Sequence, residues 1–170
     1  MKKVLFILIV TPLLLSGRRS SDVVMQAGVL PACLTKGEAE RILGQAAILS
    51  DGSSGETDRI VHHKCTFTAM AKDTKSDKTG AVYYLAELYS DAESAHKSYA
   101  AIVTSNASMP GQSTLQGVGD EAWLHSDGEN FHLIMFRKGN KAVRIKINKV
   151  TSKTSLDELK NVAREIASKL

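Results

Sequence analysis

Apolar residues recur three and four positions apart in two stretches of this chain. Ala92, Ala95, Tyr99, Ile102 and Val103 share one face of a helix expected over Asp91–Ser105, and Leu156, Leu159, Val162, Ala163, Ile166 and Leu170 share one face of a helix over Leu156–Lys169. A shorter helix is expected over Lys36–Leu43, ending at Gly44, a residue suited to a left-handed C-terminal position. Thr35-x-x-Glu38, Ser90-x-x-Glu93 and Ser155-x-x-Glu158 precede these segments, and each reads as a capping box in which hydroxyl and carboxylate satisfy backbone amides at a helix start.

Between the helices the apolar period shortens to that of a strand. His63–Met70 and Ala81–Tyr89 read as a hairpin joined by the polar link Lys72–Gly80. Three further strands are expected at about Glu121–Ser126, Asn130–Lys138 and Lys141–Val150, with Asp127-Gly128 and Gly139-Asn140 as two-residue turns. The order α-β-β-α-β-β-β-α predicts an α+β domain, an antiparallel sheet of about five strands flanked by three helices.

The two turns set a register. Gly139-Asn140 places Phe136 opposite Val143, Ile134 opposite Ile145 and His132 opposite Ile147, while Asp127-Gly128 places His132 opposite Trp123. One face would then carry Trp123, Ile134, Phe136, Val143, Ile145 and Ile147 as the core. The other would carry Leu124, Phe131, Leu133 and Met135 beside Arg144 and Lys146. That apolar strip edged by cations is either covered by one of the helices or left as a binding face for a ligand or partner.

The first seventeen residues change the picture. Lys2 and Lys3 precede the apolar run Val4–Leu15, which ends in Ser16 and Gly17, the layout of a secretory signal. The run is too short to cross a hydrocarbon core, which needs roughly 20 residues. The expected organisation is a signal peptide over 1–17, a flexible lead over 18–30 and a single α+β domain over 31–170, with no transmembrane segment once the signal is removed. The product is expected to be exported, periplasmic or secreted, with association to the envelope. In an oxidising compartment Cys33 and Cys65 are expected to form a disulfide.

The net charge of +4 is partly that of the signal, since Lys2 and Lys3 supply two positive charges. No concentrated basic stripe is present, so nucleic acid is excluded as a partner.

Candidate chemistry is sparse. His62 and His63 are adjacent and would point to opposite faces of a strand, His96 lies on a helix, and His125 and His132 occupy neighbouring strands. None has zinc-type ligand spacing. His132 reads as a hydrogen-bonded histidine in or beside the core. There is no G-x-S-x-G, Gly117-Val118-Gly119 lacks the lysine of a phosphate loop, and Asp120 and Glu121 have no partner at acid–base spacing. Asn106-Ala107-Ser108 matches a glycosylation acceptor, a weak signal when it stands alone. No catalytic residue, metal site or cofactor is expected.

Cys33-Leu34-Thr35, Glu38-Ala39-Glu40, Ile42-Leu43-Gly44 and Cys65-Thr66-Phe67, with Val118-Gly119-Asp120-Glu121-Ala122-Trp123 and Arg137-Lys138-Gly139-Asn140, resemble segments of actinobacterial envelope lipoproteins of unknown function. The same layout is similar to the extracellular sensor domain of mycobacterial serine/threonine kinases. The resemblance runs from Pro31 to Leu170 and implies a disulfide, a helix-flanked antiparallel sheet and a surface role without known catalysis. The chain departs from it at Arg18, which stands where the lipid-bearing cysteine would follow Leu15-Ser16-Gly17. The expectation is an exported, non-catalytic, sensor-like or binding module whose partner is a small ligand or an envelope protein. The alternatives are a small secreted hydrolase with an unrecognised site, or an inhibitor- or immunity-type interaction protein.

Overall fold

The computed structural model describes Leu30, Pro31 and residues 33–170. The expected signal peptide over 1–17 lies outside the described residues, as does the expected lead apart from Leu30, which is buried in the main core. The architecture is α+β, with three helices and an antiparallel sheet.

The helices start for the reasons their sequences suggest. α1 (Lys36–Leu43) opens with a complete capping box: Glu38 N donates to Thr35 Oγ1 at 3.2 Å, and Thr35 N donates to Glu38 Oε2 at 2.7 Å. It stops at Gly44 with φ 65°, and a Cβ there would lie 2.1 Å from the carbonyl oxygen of Lys153, so conformation and space both demand glycine. α3 (Leu156–Lys169) is capped by Ser155, whose Oγ accepts from Glu158 N at 3.1 Å. α2 (Ala92–Asn106) corrects the expectation by one residue. Its cap is Asp91, which accepts from Ser94 N at 2.7 Å, while Ser90 only donates its hydroxyl to the Asp91 carboxylate.

Among the described residues the sheet has seven strands rather than about five, in the order β1-β2-β3-β7-β6-β5-β4. The expected strands appear as β2 (Ile60–Ala69), β3 (Ala81–Leu88), β5 (Glu121–Ser126), β6 (Phe131–Lys138) and β7 (Lys141–Asn148). The additional ones are β1 (Ala47–Thr57) and the short β4 (Gln112–Thr114). β1 reads AILSDGSSGET, a loop-like composition, and its side chains are almost all exposed. It holds as a strand through its backbone ladder to β2, closed by a tight turn in which Asp58 and Arg59 both have positive φ, 53° and 64°. That is the backbone of a two-residue hairpin turn usually built from asparagine and glycine.

The two sheet faces are covered unequally. Phe67, Val82, Tyr84, Ala86, Ile134, Phe136, Val143, Ile145 and Ile147 line the first face beneath α1 and α3, which contribute Ala39, Ile42, Leu43, Leu159, Val162, Ala163 and Ile166. Arg41 clamps the two helices together, with Nε 2.7 Å from Glu158 Oε2 and Nη2 2.8 Å from Glu165 Oε1. Cys33 and Cys65 are disulfide-bonded with Cα atoms 5.8 Å apart, fastening the entering chain to β2. Beside the bridge, Tyr84 Oη donates to the Pro31 carbonyl at 3.2 Å.

The expected register holds at one turn and fails at the other. Gly139-Asn140 makes the two-residue turn, with Phe136 opposite Val143 and Ile134 opposite Ile145. Asp127-Gly128 does not. The connection is longer because the Asp127 carboxylate gathers the amides of Glu129, Asn130 and Phe131 at 3.1, 2.8 and 3.0 Å, and Ser126 rather than Trp123 sits opposite His132. Trp123 therefore pairs with Met135, and Leu124 with Ile134. An odd shift exchanges faces. Leu124 packs toward the main core on the first face, and Trp123 lies on the second face with Tyr99 and Met135.

Candidate functional site

α2 covers only part of the second face. Tyr99, Ile102 and Val103 close over Trp123 and Met135, while Ala95 meets Ala142 and Tyr89. Ala92, expected on this stripe, is exposed. Beyond the helix, the face over β1, β2, β3 and the adjoining parts of β7 and β6 is uncovered among the described residues.

Strand alternation and register dictate what that open area presents. One cross-strand row reads Asp51, Thr66, Tyr83, Lys146, Leu133, and the next reads Ser53, Lys64, Leu85, Arg144, Met135. Together they form a groove of about 390 Å³, lined by Asp51, Lys64, Thr66, Tyr83, Leu85, Leu133, Arg144 and Lys146, among others. Its floor is apolar, with Tyr83 42% exposed at its centre. A volume near the lower end of ordinary ligand pockets, roughly 300–1,000 Å³, suits a small molecule.

The cations around the floor differ in how they are held. Arg144 Nη2 donates to Glu87 Oε2 at 3.0 Å, and the same carboxylate oxygen accepts from Tyr89 Oη at 3.1 Å. Arg144 Nε is buried and has no hydrogen-bond partner among the described residues. An unmet buried N–H is costly, about 1–3 kcal/mol. Lys64 and Lys146 make no ion pair among the described residues, and Lys146 Nζ lies 5.5 Å above the Phe131 ring.

Of the residues expected on a binding face, Leu133, Arg144 and Lys146 line the groove. Met135 is on that face but buried beneath α2, and Phe131 sits beside the groove, edge-on to His125 at 4.9 Å. Leu124 is on the opposite face. Lys64, Thr66, Tyr83, Leu85 and Asp51 also line the groove and are not among the residues expected there from the sequence. The sequence carries a signal for two of them: β3 is apolar at Tyr83 and Leu85 as well as at Val82, Tyr84 and Ala86, so its second face offers apolar surface where a fully solvated face would alternate to polar.

The histidines are spread apart. His62 faces Gly55 across the β1–β2 pair, and His63 Nδ1 lies 2.6 Å from Ser54 Oγ. His96 Nδ1 is 2.8 Å from Glu121 Oε1, which also accepts from Arg137 Nε at 2.7 Å. His132 is buried on the first face, its Nδ1 2.6 Å from Ser126 Oγ. This serine–histidine pair stands outside the groove, and the neighbouring Asp127 carboxylate is taken up by loop amides. Among the described residues no group of three or more His, Cys, Asp or Glu side chains is placed to hold a metal ion, and no helix is long and apolar enough to cross a membrane.

Two kinds of titrating group make the fold sensitive to acid in the same direction. Burial lowers the His132 pKa, so its neutral form is favoured in the folded state. Asp73 is held well below the ordinary carboxylate range by the Ser76 hydroxyl and the Ser152 amide, and Asp127 by the Asn130 amide and side chain. In every case the unfolded chain takes up the proton first as pH falls, so stability declines toward acid. The urea midpoint is expected to fall first below about pH 6.5, as unfolded histidine protonates, and again below about pH 4, as the aspartates do. His132→Gln should remove the first stage and leave the second. A midpoint that does not change between about pH 7 and pH 5 would contradict the burial of His132.

Fold and groove together define a disulfide-stapled α+β module with one half-covered sheet face. Comparison with protein-family models, curated proteins and solved structures finds no match to this chain.

Proposed function

We propose that this protein is an exported, non-catalytic binding module of the cell envelope, and that the groove over β2, β3, β7 and β6 is where it takes a small ligand. The observation that carries the reading is the unequal covering of the sheet. α2 closes the part holding Trp123 and Met135, with Leu133 packed at its margin, whereas Tyr83 and Leu85 remain with Leu133 as a concave apolar floor among Lys64, Arg144 and Lys146. Concave apolar floors with a few convergent polar groups are the usual form of a ligand site. The signal-like start and the Cys33–Cys65 bond support export, and the resemblance to envelope lipoproteins supports the location.

The reading is tested by amide NMR during titration with a library of small fragments. Shift changes are expected to cluster on Tyr83, Leu85, Leu133 and Arg144. Fragments that perturb only other surfaces, or none that bind, would overturn it.

A protein partner is the second reading, favoured by the outer edge at β1, which is unpaired among the described residues. Ile48 and Leu49 on β1 are 51% and 57% exposed, and the adjoining Met70 is also exposed. An open edge strand can accept a strand from another chain. A partner docked there would shift β1 amides and leave those of β7 unchanged.

A further inference from the structure

Resting on that reading of the groove, we infer that its ligand is a single-chain amphiphile with a carboxylate head, seated between Lys64 on β2 and Arg144 and Lys146 on β7. β3 runs between these strands and supplies Tyr83 and Leu85 to the floor. Lys64 pairs with Leu85, which pairs in turn with Arg144, so the two cations face each other across a single strand. At about 4.8 Å between neighbouring strands, their backbones lie roughly 10 Å apart. Both side chains are long enough to meet over the middle. A carboxylate placed there receives charge-assisted hydrogen bonds from two directions.

The charge around the groove is one-sided. Lys64, Arg144 and Lys146 are opposed among its lining residues only by Asp51, at the far end of the row on β1. Glu87 stands behind Arg144 and holds one corner of the guanidinium, and Arg144 Nε has no partner among the described residues. Glu87 thus aims the guanidinium and uses only part of its donor set, since a guanidinium carries five N–H donors. Because Lys64 and Lys146 have no ion-pair partners among the described residues, an entering anion would meet them without displacing an acid.

The remainder of the ligand is apolar. Tyr83, Leu85 and Leu133 offer no charge, and the lysine stems extend the same surface. A cationic ligand would meet repulsion at the rim, and a strongly polar one would find only the Tyr83 and Thr66 hydroxyls to bond on an otherwise apolar floor. An acidic peptide is a poorer fit, because one concave site of about 390 Å³ accommodates one short chain rather than a strand with side chains on both faces.

The test is calorimetric titration of the disulfide-intact protein with decanoate, decyl maltoside and decyltrimethylammonium, each below its micellar concentration. Decanoate is expected to bind at least tenfold more tightly than either other probe, and its affinity should fall as salt rises. The Lys64→Gln/Lys146→Gln variant should lose at least tenfold for decanoate with a nearly unchanged melting temperature, because both lysines are exposed, neither makes an ion pair among the described residues, and only the surface contact of Lys146 with the Phe131 ring is given up. Equal binding of decanoate and decyl maltoside, or undiminished decanoate binding by the variant, overturns the carboxylate assignment while the groove remains a ligand site. Failure of decanoate alongside groove-centred shifts from uncharged fragments does the same. No binding by any decyl probe together with no fragment shifts overturns groove and ligand alike. Sedimentation run in parallel covers the remaining occupant: a dimer whose interface protects the Tyr83 and Leu85 amides assigns the groove to a second copy and overturns the inference.

Discussion

Trp123→Ala is expected to destabilise the protein by about 3–5 kcal/mol, the range for truncating a large buried aromatic. Trp123 is only 5% exposed and packs with Tyr99 and Met135, so it fastens α2 to the second face of the sheet. The cavity left by alanine would lie at that contact, where a helix lifting from a sheet cannot easily collapse to fill it. The indole also does polar work: Nε1 donates to Gln112 Oε1 at 3.0 Å, and the Gln112 side chain in turn donates to the Asn106 and Met109 carbonyls at the end of α2. Trp123→Phe keeps most of the apolar contact and loses that hydrogen bond, so it should cost about 1 kcal/mol. Urea unfolding of both variants checks the pair. A midpoint unchanged by Trp123→Ala would mean that α2 is not held by this side chain.

Replacing both cysteines, as Cys33→Ser/Cys65→Ser, should cost about 3–4 kcal/mol on chain-entropy grounds for the loop that this bond closes. The partners are 32 residues apart in sequence. The loss is concentrated where the chain enters the domain. Without the bond, Leu30 and Leu34 must hold their places in the core by packing alone, and the Tyr84–Pro31 hydrogen bond loses its neighbouring restraint. Reduction of the native protein should lower its melting temperature comparably, which separates loss of the bond from the added serine hydroxyls. Equal melting temperatures for oxidised and reduced protein would show that the bridge adds nothing to the folded domain.

Much of the architecture could be read from local pattern. The α1 and α3 boundaries follow from caps and apolar period, because those devices act within one or two helical turns. The β6–β7 hairpin followed from Gly139-Asn140, where glycine adopts the positive φ of a tight turn. β1 is not legible in the sequence because Ser50–Gly55 carries no apolar alternation, and its strand state comes from bonding to β2. The β5–β6 register escaped because Asp127-Gly128 resembles a two-residue turn. The Asp127 carboxylate instead captures three successive amides and lengthens the loop.

The candidate site divides along the same line. Leu133, Arg144 and Lys146 were expected on one sheet face, and alternation along β6 and β7 puts them there. Leu124 was expected beside them and lies on the opposite face, whereas Trp123 was expected in the core opposite and lies under α2. Lys64, Tyr83 and Leu85 join the groove through the β2–β3 and β3–β7 pairings, which connect residues far apart in the chain.

The sequence by itself determined the α+β class, the three helices, the core positions of β6 and β7, and the pair of cysteines available for a bond. These depend on periodicity and capping, which act between near neighbours in the chain. Only the tertiary structure decided which face Trp123 and Leu124 occupy, that the unpromising β1 completes the outer edge, and that α2 stops short of Tyr83 and Leu85. Those outcomes depend on register and on where a helix rests on a sheet. A shift of an odd number of residues reverses a strand's faces without changing its composition.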